Sequence, residues 1–135
     1  MAFTGNYTCD VFKSGLLTGA FNFSSGSFYM ALYTNNATLD ASTTAYTTTG
    51  EVSASGYAAA LLTGATVAIS NGVAYLTFNN PSWTAAFTAR GALIYKAGDN
   101  GAVCVLDFGA DKTCTTTFQV QFPTATSTSA IIRLV

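Results

Sequence analysis

A chain of 135 residues is the size of one domain, enough to bury one sizeable core and too short for the two lobes of a protein kinase. Only 8% of its residues are charged and 50% are hydrophobic, where an average soluble protein carries roughly 25% charge. The net charge of −1 and five scattered cations (Lys13, Arg90, Lys96, Lys112 and Arg133) argue against nucleic-acid binding by phosphate neutralisation and against docking on anionic membranes.

In chain order, the opening stretch "MAFTGNYTCDVFKSGLL" has no basic region leading into an apolar one, so it does not read as a secretory signal. Its continuation, "YTCDVFKSGLLTGAF", is the one helical candidate. Cys9, Phe12, Leu16 and Ala20 recur at helical spacing, and Thr8 or Asp10 can cap the start. Gly15 and Gly19 weaken it. From Phe28 the period changes to two. "SFYMALYT" is apolar or aromatic on both faces, as a central strand covered on both sides would be. The segment from Thr34 to Gly56 reads as a long structured surface loop, with a short helical turn expected near Thr44 to Tyr46.

Short apolar runs follow: "GYAAALL", "ATVAIS" and "GVAYLTFN". Between the last two, Asn71-Gly72 predicts a type I′ hairpin turn, because both residues accept a positive φ. Pro81 flanks the next strand and Trp83 is a core anchor. "RGALIYKAGDNGAVCVLDFG" is a hairpin with "GDNG" at its tip, and "TFQVQFP" and "SAIIRLV" complete the set. About eight or nine short strands without βαβ alternation predict a mainly β chain. The expected architecture is a single β-sandwich or jelly-roll-like domain over residues 1–135, with one short helix in the N-terminal segment 1–23.

Asp107-Phe108-Gly109 matches the magnesium-holding tripeptide of protein kinases, but the partners that chemistry needs are missing. The sequence has no histidine and no GxGxxG. Without histidine, a Ser-His-Asp triad is excluded too. Asp107 and Asp111 lie close together, but with Lys112 beside them a surface turn is the simpler reading than a glycosidase pair. No CxxC or DxDxDG spacing points to a metal, so no cofactor is expected. Three cysteines, Cys9, Cys104 and Cys114, make a poor disulfide framework, and Cys104 in "AVCVLDF" reads as a buried free thiol. Arg90 in "TARGALIYK" places a guanidinium among apolar neighbours and requires a carboxylate. Asp107 on the paired strand is the expected partner, with Glu51 the other candidate. The tripeptide then reads as a strand end, with Phe108 turned to the core and Gly109 making the exit turn.

Three blocks in order, "FYMALYTNNATLDASTTAYTTTGEVSASGYAA", "FTARGALIYKAGDNGAVCVLDFGADKT" and "FQVQFPTATSTSAIIRL", resemble a group of small structural proteins of tailed-bacteriophage virions. The opening "FTGNYTCDVFKSGLL" resembles that group as well. The resemblance implies a non-enzymatic virion component, made in the host bacterial cytoplasm and carried on the particle. The first expectation is a capsid decoration or cement protein that stabilises joints between major capsid subunits. The low charge and Ser/Thr-rich loops suit such a role. A homo-oligomer is expected, with a trimer suggested by the local threefold axes of capsids. The expected docking elements are the N-terminal segment and the 34–56 loop, with Phe3, Tyr7, Phe12, Leu16, Tyr46 and Glu51 at the contact. A tail, neck or fibre-associated subunit is the alternative within virions, distinguished by a far lower copy number. A carbohydrate-binding adsorption module is the alternative of another class, and it would need Tyr29, Tyr33, Tyr46 and Tyr57 exposed.

Overall fold

The computed structural model describes residues 3–135. Its elements in chain order are β1 (Tyr7–Thr8), α1 (Asp10–Thr18), β2 (Phe28–Tyr33), β3 (Ala60–Leu61), β4 (Thr66–Ser70), β5 (Val73–Thr77), β6 (Ser82–Thr84), β7 (Phe87–Lys96), β8 (Ala102–Cys114), β9 (Thr117–Gln119) and β10 (Ile132–Leu134). The strands form three antiparallel sheets: a five-stranded sheet in the order β1-β8-β7-β2-β3, a three-stranded sheet β10-β5-β4, and the pair β6-β9. This is the mainly β, sandwich-like arrangement with one short helix that the alternating pattern predicts.

The apolar residues on both faces of β2 and β7 place these strands at the centre, where nearly every residue is buried. On one face of β2, Phe28 stacks on Phe23 at 4.4 Å between ring centroids, and Phe12 meets Phe23 edge-on. On the other, Tyr29 stacks on Tyr95, and Tyr95 on Tyr46. Trp83 is buried, as expected, and its Nε1 donates to the Ala58 carbonyl at 2.8 Å.

The helix is shorter than its spacing predicts, and Cys9, rather than Thr8 or Asp10, sits at its N-cap. Cys9 offers no side-chain cap; its amide instead bonds the Val103 carbonyl at 3.0 Å, which ties the helix start to the sheet. Gly19 ends the helix in the left-handed region at φ 79°. Gly15 costs helix propensity, but a Cβ there would lie 2.6 Å from Phe21 Cδ2. The glycine lets the Phe21 ring close on the helix, where Lys96 Nζ lies 4.8 Å over it.

Asn71 and Gly72 take φ values of 53° and 76° and close the β4–β5 hairpin as a type I′ turn. The β7–β8 hairpin is present with the "GDNG" tip, but β8 does not end at Gly109. It runs on to Cys114 through an irregularity in which Ala89 pairs with Lys112 and Gly91 with Asp107. Gly109, at φ 84°, lies in that bulge and does not make an exit turn. Phe108 is half-buried and packs against Phe118. The helical turn expected near Thr44 to Tyr46 is absent; Ala45 instead bridges Gly101 in extended form.

Candidate interaction surface

Arg90 is buried at 8% exposure, and its Nη1 donates to Asp107 Oδ1, the expected pairing. The bulge in β8 makes this possible by bringing Asp107 opposite Gly91, next to Arg90. The same Oδ1 accepts the Gly109 amide at 2.8 Å, and the Asp107 amide donates to Asn6 Oδ1 at 2.6 Å. Arg90 also lies 5.8 Å over the Phe3 ring. Gly91 leaves room for that ring, since a Cβ there would sit 2.6 Å from Phe3 Cζ and from the Leu106 carbonyl. The clasp therefore locks the segment before β1 onto the β7–β8 hairpin. It is a structural device.

Glu51 is engaged elsewhere. Its carboxylate accepts the Tyr46 hydroxyl at 2.6 Å and the Tyr57 hydroxyl at 2.7 Å. Burial pushes both tyrosines above their ordinary range, and the facing carboxylate pushes the same way. The Tyr33 hydroxyl donates to the Thr47 carbonyl at 2.6 Å. These bonds fold the 34–56 loop down on β2, burying its own Ala37, Leu39 and Val52. None of Tyr29, Tyr33, Tyr46 and Tyr57 is an exposed residue, and Tyr33 is wholly buried. Those positions form no open aromatic platform.

The expected contact residues separate into two groups. Phe3 and Phe12, at 0% and 1% exposure, are core residues, which corrects their assignment to a surface contact. Each fills a seat inside the fold, Phe3 at Gly91 and Phe12 against Phe21 and Phe23. Tyr7, Leu16, Tyr46 and Glu51 are half-buried. Of these, Tyr46 and Glu51 are bonded to each other, and the Tyr7 hydroxyl pairs with Thr4 Oγ1 at 2.6 Å. Leu16, together with the buried Phe12, lines an apolar groove, of about 140 Å³, between α1 and the three-stranded sheet.

That groove and the face beyond it are what sequence reading missed. Register places Val67, Leu76 and Ile132 in one row, and Ile69, Ala74 and Leu134 in the next, all on one face of the sheet. Leu76 and Ile132 are buried, whereas Val67, Ile69 and Leu134 are 59%, 75% and 54% exposed. Leu17, on the helix that walls the groove, is also exposed. No charged side chain lines the groove. The alternation in "TVAIS" and "IRLV" marks an apolar face, but alternation does not say whether another element covers it.

A larger groove of about 690 Å³ lies between β8 and the segment following β9, with Phe108, Phe118 and Phe122 in its wall and Lys112 beside them. Among the described residues, no group of three or more His, Cys, Asp or Glu could hold a metal ion. All three cysteines are free. Burial, reinforced by the Asp10 and Asp40 carboxylates, pushes the Cys9 thiol up to about 11, and burial raises Cys104 as well. Both are held as neutral thiols, the form that does not act as a nucleophile. No helix among the described residues is long and apolar enough to cross a membrane.

The residues thus define a β-sandwich-like domain with its polar clusters turned to internal locking and one apolar face left open. No family model, no curated protein and no solved structure matches the chain.

Proposed function

We propose that the chain is a non-enzymatic structural subunit of a bacteriophage virion, a decoration or cement protein seated on the joints between major capsid subunits. The observation that carries this reading is the uncovered apolar face of the β10-β5-β4 sheet, together with its groove against α1. Contiguous apolar surface of this kind marks a contact with another macromolecule more often than open solvent. The three blocks that resemble small virion proteins point to the class of partner, and the low charge keeps long-range repulsion between neighbouring subunits small. A domain that buries this face only on the assembled shell stabilises the shell by mass action, since it binds the closed state and not its separated parts.

The test uses particles stripped of the protein. Leu134→Lys places a charge on an exposed position of the apolar face, away from the core. The unaltered chain is expected to rebind the shells and raise their disruption temperature. Leu134→Lys, folded by circular dichroism, is expected to lose most of that binding. Undiminished rebinding by Leu134→Lys would show that this face is not the docking surface. A tail or neck position remains the second virion reading, and copy number separates the two.

A further inference from the structure

We propose that β4 is a self-association edge: two copies of the chain pair antiparallel about a two-fold axis at Ala68, joining their three-stranded sheets into one. Asn71 and Gly72 form a two-residue type I′ connection, so the flanking Ser70↔Val73 pair is a hydrogen-bonded one. Antiparallel ladders alternate, so Ala68↔Tyr75 and Thr66↔Thr77 are hydrogen-bonded too. Val67 and Ile69 then turn their amides and carbonyls away from β5, toward the free side of the sheet. β4 is an edge strand, and no turn, loop or cap hydrogen bond among the described residues reaches either of them.

Exposed edges are normally guarded by charge, proline or a bulge. The other long free edge, along the second half of β8, has Asp107, Asp111, Lys112 and the bulge at Gly109. β10, the opposite edge of the same sheet, carries Arg133, whose Nη1 is bonded to the Ser127 carbonyl. β4 reads "TVAIS", with no charge, no proline and no bulge. A strand from any partner could add to it, but neutrality favours a second copy. A two-fold axis brings every charge near its own image, and β4 has none to repel. Centred on Ala68, the register sets Val67 opposite Ile69 of the second copy, so the outward amides and carbonyls satisfy one another in matched pairs. It also extends the apolar rows. Ile132, Leu76 and Val67 of one copy continue into Ile69, Ala74 and Leu134 of the other, covering the exposed flanks of Val67 and Ile69. On the opposite face the Ala68 side chains meet at the axis, flanked on each side by Thr66 against Ser70 of the other copy, all of them small and uncharged. The pairing does not depend on the virion reading, so its failure would leave that reading where it stood.

The test is the solution mass of the purified chain by sedimentation. The unaltered protein is expected at twice the monomer mass. Ile69→Lys, at an exposed position, is expected to shift it to the monomer without changing the far-ultraviolet dichroism, while Leu17→Lys on α1 leaves the dimer intact. Register is read separately. Residues directly opposite in such a ladder have Cβ atoms about 4.5–5.5 Å apart, so Ala68→Cys is expected to cross-link the dimer under mild oxidation. Ser70→Cys, which faces Thr66 of the second copy, is not. A monomer at high micromolar concentration overturns the proposal, as does an Ile69→Lys protein that stays dimeric. So does cross-linking at Ser70→Cys in place of Ala68→Cys. A chain whose β4 amides are protected only when a different polypeptide is added assigns the edge to a foreign strand, and the self-pairing is then wrong.

Discussion

Arg90 can carry its charge into an apolar strand because Asp107 meets it across the hairpin and the Phe3 ring lies beneath it. Both partners are largely withdrawn from water, with side chains only 10% and 14% exposed. Breaking such a pair leaves an uncompensated charge, and the penalty for that exceeds the net gain from the pair itself. Asp107→Asn is therefore expected to lower the unfolding free energy by about 3 kcal/mol in a urea titration. Combining it with Arg90→Met is expected to cost less than the sum of the single changes. An unchanged stability for Asp107→Asn would remove the clasp from the account. The buried thiols give a second residue-scale outcome. The Cys9 thiol ionises near 9.0 when unfolded and about 11 when folded. Between those values the unfolded chain gives up the proton and the folded chain keeps it, so rising pH favours unfolding. The contribution is fully present below about pH 9 and is lost by pH 11, a loss of about 2–3 kcal/mol. Cys104, Tyr33 and Tyr57 are shifted in the same direction and steepen the fall. The urea midpoint is expected to drop above pH 9, and less steeply in Cys9→Ala. Identical slopes in the two proteins would contradict this assignment.

At the scale of elements, the long loop shows how polar bonds can do work that its composition conceals. The 34–56 segment reads as a polar, structured surface loop, and its chain runs beside the end of β2, where Thr34 and Val52 amides bond the Gly50 and Leu32 carbonyls. Glu51 then gathers Tyr46 and Tyr57 from either side. Glu51→Ala strands the half-buried Tyr46 hydroxyl, at about 1–3 kcal/mol for a group left unpaired, whereas the Tyr57 hydroxyl still accepts the Leu32 amide at 2.8 Å. Amide hydrogen exchange across 34–56 is expected to accelerate, with the β7–β8 hairpin unaffected. Exchange that speeds up uniformly over the whole chain would mean that Glu51 holds the global fold rather than the loop. The hairpins were legible because Asn71-Gly72 and "GDNG" specify backbone geometry locally. The Arg90–Asp107 pair was legible because a guanidinium in an apolar run needs a carboxylate and the hairpin supplies one. The bulge at Gly109 was not, because an irregularity in register depends on what both strands pack against. The helix boundary was missed for a similar reason. Its start is fixed by backbone bonds from the Cys9 and Asp10 amides to the Val103 and Ala41 carbonyls, contributed by segments distant in the chain.

For the molecule as a whole, alternation showed which residues share a face but could not show which faces would be covered. The central strands are enclosed on both sides by Phe23, Phe78, the loop and the segment before β1. The three-stranded sheet keeps Val67, Ile69 and Leu134 in solvent. That open face, with its groove against α1, is the reason to read the domain as a piece of a larger assembly. Imaging of the intact virion, combined with protein counting on purified particles, is the decisive measurement. Density for this domain is expected at regular positions on the capsid lattice, at a copy number comparable to that of the major capsid subunit, with the β10-β5-β4 face turned toward the shell. Absence of the chain from purified particles would contradict the virion reading outright, and a few copies confined to the tail would contradict the decoration role.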